Sequence, residues 1–135
     1  MSWSESLIKL ATYEVETHQK RLADIVERRT AAQMRLAALH AEGDAERARS
    51  QDDANVGLYQ NGYLDGLRQR KAAMRVEIDT LLIEERGARD ALSAAFEEQK
   101  KYEHVAEQAR RVEVKEAARR ETAALDELGL RRARG

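Results

Sequence analysis

LDGLRQRKAAMRVEIDTLLIEERGARDALSAAFEEQKKYEHVAEQA, residues 64–109, places apolar or small side chains at Leu64, Leu67, Met74, Ile78, Leu81, Ala88, Leu92, Ala95, Tyr102, Ala106 and Ala109. Lys71, Glu85 and Gln99 complete the same series. The steps alternate between three and four residues and average about 3.5, the period of a coiled-coil seam rather than the broader stripe of a globular helix. Nearer the N-terminus, Ile8, Ala11, Val15, His18, Leu22, Ile25, Arg29, Ala32, Leu36 and Leu39 repeat the pattern. The chain contains no proline, so nothing forces either helix to break. The pattern predicts an all-α fold in which two long helices form an antiparallel coiled-coil hairpin.

Composition agrees with a rod. Of the 135 residues, 36% are charged and 4% aromatic, too few bulky apolar groups for a thick core. The length allows one domain, read as a single coiled coil over 1–135. Disorder would suit such polarity, but disorder carries no period. With 24 basic and 25 acidic residues the net charge is −1, which gives no general pull toward nucleic acid or anionic lipid. There is no cysteine, hence no disulfide or thiolate metal site. Met-Ser-Trp-Ser-Glu is unlike a signal peptide, and no apolar run approaches the roughly 20 residues that span a bilayer. A soluble intracellular protein is expected.

Ser2 and Glu5 form an S-x-x-E capping box that predicts the start of helix one, over about residues 3–51. The polar run Asp52-Asp53-Ala54-Asn55-Val56-Gly57 predicts the tip, about residues 52–58. Helix two then runs over about 59–128, with Gly129 as its expected stop. Folding about residue 57 pairs positions whose numbers total about 114. Arg29 then meets Glu85, Gly43 meets Lys71, and His18 lies within a turn of Gln99. Polar residues in a seam fix register, though long side chains at its edge also lean outward. The same register leaves everything after about residue 110 without a partner, although Val112, Val114, Leu125, Leu128 and Leu130 are apolar. A partner surface and a frayed tail are the two readings of that overhang.

Catalytic signatures are missing. His18, His40 and His104 have no metal-ligand spacing along one helix, and no phosphate-cradling loop or nucleophile elbow occurs. No enzyme, metal, cofactor or small-molecule ligand is expected. Glutamates interleave most basic pairs; only Arg131-Arg132-Ala133-Arg134 is a clean positive end, which also suits a helix C-terminus. Near the tip, Tyr59 and Tyr63 share a helix face beside Leu64 and Leu67. They serve either as interaction anchors or as a closure packed back on Leu39.

Tyr13-Glu14-Val15-Glu16, Gln19-Lys20-Arg21-Leu22 and the ending Arg119-Arg120-Glu121 … Leu125-Asp126-Glu127-Leu128 … Arg131-Arg132 bring a family into view. With its length and two-helix heptad layout, nearly the whole chain resembles the FliJ family of the flagellar type III export apparatus, in the form found in alphaproteobacteria. The resemblance implies a non-enzymatic stalk similar to the γ subunit of rotary ATPases. It also implies a general chaperone that works with substrate-specific export chaperones. Its partners would be the hexameric flagellar export ATPase and the cytoplasmic region of the membrane export gate. The free protein would be a monomer, cytoplasmic and peripheral at the flagellar base, without nucleic acid. By the same resemblance Trp3, Leu7, Arg119, Arg120, Leu125, Leu128, Arg131 and Arg132 would meet the ATPase ring. Leu39, Tyr63 and Leu67 match the gate-binding positions, with Tyr59 beside them. Glu42 and Glu46 stand where other members carry tyrosines. The competing readings are a self-associating structural coiled-coil scaffold and a nucleic-acid-binding hairpin.

Overall fold

The computed structural model describes residues 2–50 and 57–135. It contains two helices, α1 (Trp3–Ser50) and α2 (Gly57–Arg134). Residues rich in Ala, Leu, Glu and Arg favour helix, and no proline interrupts them. The capping box forms at the start of α1. The Glu5 amide donates to Ser2 Oγ at 3.2 Å and the Ser2 amide to Glu5 Oε2 at 3.3 Å, satisfying donors that the first turn cannot. Most of the expected tip falls on residues 51–56, outside the described ones.

The expected stop at Gly129 does not occur: α2 runs on to Arg134. No glycine among the described residues takes a positive φ, so the left-handed cap that a glycine stop needs is not formed. Glycine inside a helix costs only about 1 kcal/mol. Leu128, Leu130 and Arg131 around it are good helix formers, and an Arg131–Glu127 ion pair at 3.2 Å spans it.

The chain forms two compact units. The first comprises Thr17–Ser93. Here α1 and α2 pack antiparallel, since Arg28 meets Glu84 while Gly43 meets Leu67. Ala32, Ile78 and Leu81 form its buried cluster, with Leu36 and Met74 packed against it; Ile25, Leu67 and Ala88 are also buried. The second unit comprises Met1–Glu16 and Ala94–Gly135, with Ala11, Val15 and Ala95 buried. Every buried apolar residue sits at a position of the three-four series, and none of the described buried residues is polar. Both cores are one side chain thick. A fully buried Leu contributes about 1.5–3 kcal/mol, and alanines supply much of the rest of the seam.

Gly43 is the glycine whose size matters. A Cβ there would come within 2.9 Å of Leu67 Cδ2 and 3.6 Å of Lys71 Nζ. The small residue expected opposite Lys71 therefore makes room chiefly for Leu67, one turn away.

Candidate functional site

Among the described residues no group of His, Asp and Glu is placed to hold a metal ion, and no helix is long and apolar enough to cross a membrane. Shifted titrations belong to surface contacts. The Arg110 guanidinium lowers the Glu107 carboxyl and is itself raised by it, and a hydrogen bond to Glu98 raises the Tyr102 phenol. The candidate sites are interaction surfaces.

In the unit Thr17–Ser93, Arg29 and Glu85 meet across the seam. Arg29 Nε donates to Glu85 Oε1 at 3.1 Å and a second guanidinium nitrogen lies at 3.0 Å. Their side chains are 21% and 12% exposed, which makes this the most sheltered ion pair among the described residues. Arg29 also donates to Gln33 Oε1 at 3.1 Å, and Arg89 approaches Glu85 at 3.7 Å. Arg28–Glu84, alongside at 3.5 Å, is much more open to water. In the other unit Gln99 donates to Thr12 Oγ1 at 3.1 Å, a polar layer whose partner the heptad count did not single out.

The tyrosine-bearing start of α2 lies in the same unit as Arg29. Tyr59 is exposed. Tyr63 is half-buried and its hydroxyl donates to Glu42. That bond, then desolvation and the Glu42 charge, raises the Tyr63 phenol, with Arg70 opposing. Gln60 donates to Ser50 Oγ and to the Glu46 carbonyl at 3.5 Å. Glu42, which departs from the tyrosine expected by resemblance, thus takes a tyrosine hydroxyl from the other helix. Sequence reading missed this contact; both residues flank the seam on the same side, as facing positions of an antiparallel pair do, and that was its signal. Leu39 is half-buried and lines a shallow apolar groove with Ala38, Ala73 and Met74 between Arg35 and Arg70. Leu67, at 1% exposed, is a seam residue packed over Gly43.

The terminal surface lies in the second unit. Trp3 is exposed and Leu7 half-buried. With Ile8, Trp3 borders a groove against Ala106, Ala109 and Arg110. Glu107 holds Arg110 at 2.7 Å and Arg111 at 3.4 Å. From Arg111 onward every described residue except Glu116 is exposed. Arg119 pairs with Glu116 at 3.0 Å and Arg131 with Glu127 at 3.2 Å, so two of the basic residues expected to face a partner are already held within their own helix. Arg120, Leu125, Leu128 and Arg132 are exposed.

The family model for the flagellar FliJ protein matches residues 5–135. The chain belongs to the flagellar FliJ family. Two relatives, each called flagellar FliJ protein, come from Caulobacter vibrioides strains NA1000 / CB15N and ATCC 19089 / CIP 103742 / CB 15. Each is 52% identical over 131 residues, covering 97% of this chain and 94% of the relative. No solved structure matches. FliJ membership ties the chain to the flagellum and to flagellar protein export.

Proposed function

We propose that this FliJ protein is a non-enzymatic stalk and adaptor of the flagellar export apparatus. The end that carries Trp3, Leu7 and the terminal third of α2 engages the export ATPase hexamer. Leu39, Tyr59 and Tyr63 face the cytoplasmic region of the export gate, and the protein works with substrate-specific export chaperones as a general chaperone. It acts in the cytoplasm, at the base of the flagellum.

One observation carries this reading. A helical segment more than 20 residues long, from Val114 to Arg134, is exposed throughout except at Glu116 and carries Val, Leu and Arg side chains on that surface. Exposed apolar groups on an otherwise highly charged helix mark an interface. Unpaired arginines at the end would orient the approach to an acidic partner more than strengthen it.

The test is stimulation of the purified export ATPase by the full chain and by a version ending at Arg110. Circular dichroism of both checks that the paired region stays helical. The full chain should stimulate and the shortened chain should not. Equal stimulation by both would place the ATPase contact elsewhere.

A further inference from the structure

Toward its end α2 carries a heptad series separate from the seam. Val114, Ala118, Glu121, Leu125, Leu128 and Arg132 follow one another at steps of four and three and share one face of the helix. Ala117, Thr122, Ala124 and Gly129 border this band with short side chains, and Arg131 is its one long flank past Lys115. Val112 and Leu130, about five turns apart at 3.6 residues per turn, lie on the opposite side of the helix. All five large aliphatic residues are between 53% and 62% exposed, so exposure alone does not choose a face. Every residue from Ala117 to Gly135 is exposed, and this stretch lies past Glu113, the last residue beside the Trp3 groove.

Laid antiparallel against itself, the band fits in one register. There Leu125 meets Leu128 of a second copy, and Leu128 meets its Leu125. Glu121 meets Arg132 of the second copy, and Arg132 meets its Glu121. Each of these layers sets aliphatic on aliphatic or acid on base, and the two-fold axis makes each occur twice. On the flanks Thr122 falls beside Gly129 and Ala124 beside Arg131, so no like charges meet and the small residues let the backbones approach. Shifting the register by one heptad sets Leu125 on Glu121 in one direction and Leu128 on Arg132 in the other. A parallel pair sets Glu121 on Glu121 and Arg132 on Arg132, and like charges in a contact repel. The opposite face offers no equivalent: aligning Leu130 with Val112 there brings Glu116 onto Asp126, two acids.

We infer that this band is an interface between two copies of the chain, paired antiparallel about a two-fold axis that passes between Asp126 and Glu127. Two leucine layers closed at either end by an acid–base layer make a small contact, so the pair is reversible and forms at high protein concentration. The acid–base layers sit at the ends of the contact, within reach of water, and set register and direction more than affinity. The Glu116–Arg119 ion pair points away from the band and is untouched. The inference goes beyond the stalk and adaptor reading and does not depend on it. Together with that reading it means that pairing covers the surface assigned to the export ATPase, so that the hexamer displaces a second copy when it binds.

Sedimentation equilibrium of the full-length chain, from about 10 μM to about 1 mM, tests the pairing, with helical content checked for every variant. The mass should rise from one copy toward two across that range. Glu121→Arg alone, or Arg132→Glu alone, sets like charges in both acid–base layers and should weaken pairing by about tenfold or more, as should Leu125→Glu. Mixing the Glu121→Arg chain with the Arg132→Glu chain should restore pairing, and so should both changes in one chain, because each again sets acid on base. Val112→Glu and Leu130→Glu, at similar exposure on the other face, should leave pairing within about twofold. A chain that stays single at the highest concentration refutes the inference. So does pairing that survives the single charge reversals, or that mixing the two reversed chains fails to restore. No ATPase is present in this measurement, so its failure leaves the ATPase reading standing, and a failure to stimulate the ATPase leaves the pairing standing.

Discussion

Replacing Glu85 by Gln or Ala tests the seam at its most polar point. The guanidinium of Arg29, about a fifth exposed, would keep only Gln33 as a partner at 3.1 Å and would lose two contacts near 3 Å. Removing one member of a fully buried ion pair costs about 3–5 kcal/mol. Partial exposure reduces this, because a long arginine can swing its head toward water and keep its stem packed. We expect about 1.5–2.5 kcal/mol for Glu85→Ala, and less for Arg29→Ala because Arg89, 3.7 Å from Glu85, partly answers the remaining carboxylate. Changing both residues to Leu should restore or exceed the original stability, since two aliphatic side chains then fill a half-buried layer at no desolvation cost. In a cycle built from Glu85→Leu, Arg29→Leu and the double Leu variant, the pair should show a coupling of about 2 kcal/mol or more. Thermal and urea unfolding followed by circular dichroism measure it, at about 3–5 °C of Tm per kcal/mol for a chain of this size. If the single losses add in the double variant, or if neither single change alters stability, Arg29 and Glu85 are edge residues and the register is set elsewhere.

Leu67→Ala should cost about 2–4 kcal/mol, measured by the same unfolding, because the side chain is 1% exposed; it therefore cannot probe partner binding cleanly, and Tyr59→Ala, which should leave the melt unchanged, can. Gly62→Ala and Gly66→Ala should each raise stability by about 0.5–1 kcal/mol, since a Cβ at either site meets nothing within 4 Å, whereas Gly43→Ala should gain less or lose because Leu67 must give way. The contact of Tyr63 with Glu42 should contribute stability that is fully present below the unfolded tyrosine pKa of about 10 and is lost as pH rises through the higher folded value. Absorbance titration of Glu42→Gln should move the Tyr63 phenol back toward its ordinary value, and an unmoved titration would refute the contact. Hydrogen exchange should be fast over residues 114–134 in the free chain and slow when the ATPase is present, because a single helix in water is marginal.

Much of the hairpin was legible because a seam has one rule. Ala11, Val15, Ile25, Ala32, Leu67, Ile78, Leu81, Ala88 and Ala95 were all in the three-four series, and all are buried. The same arithmetic brought Arg29 to Glu85. It was less informative where geometry finer than the heptad decides. Lys71 and Leu67 both lie near Gly43, and only side-chain reach makes Leu67 the closer neighbour. Leu67 reads equally well as a surface anchor or as a seam residue when counted as part of an apolar cluster; packing against Gly43 resolves it. Gly129 carried the composition of a stop, but a stop needs a left-handed backbone, and nothing beyond that glycine asks the chain to turn. Tyr63 and Glu42 are 21 residues apart in sequence, and neither is apolar enough for a periodic search to join them.

The length of α2 beyond its partner has an evolutionary consequence. Every backbone hydrogen bond in that segment is local, and its ion pairs, Arg119 with Glu116 and Arg131 with Glu127, span three or four residues. From Val114 on, all described residues except Glu116 are exposed, so the free energies of substitutions there should add independently to those of the hairpin. Such a segment can drift, lengthen or be exchanged for the corresponding piece of a related chain without putting the fold at risk. Partner preference and fold maintenance are thereby placed on separate stretches of one continuous helix, and a chimera carrying a foreign ending should fold as its hairpin does and bind as its ending dictates.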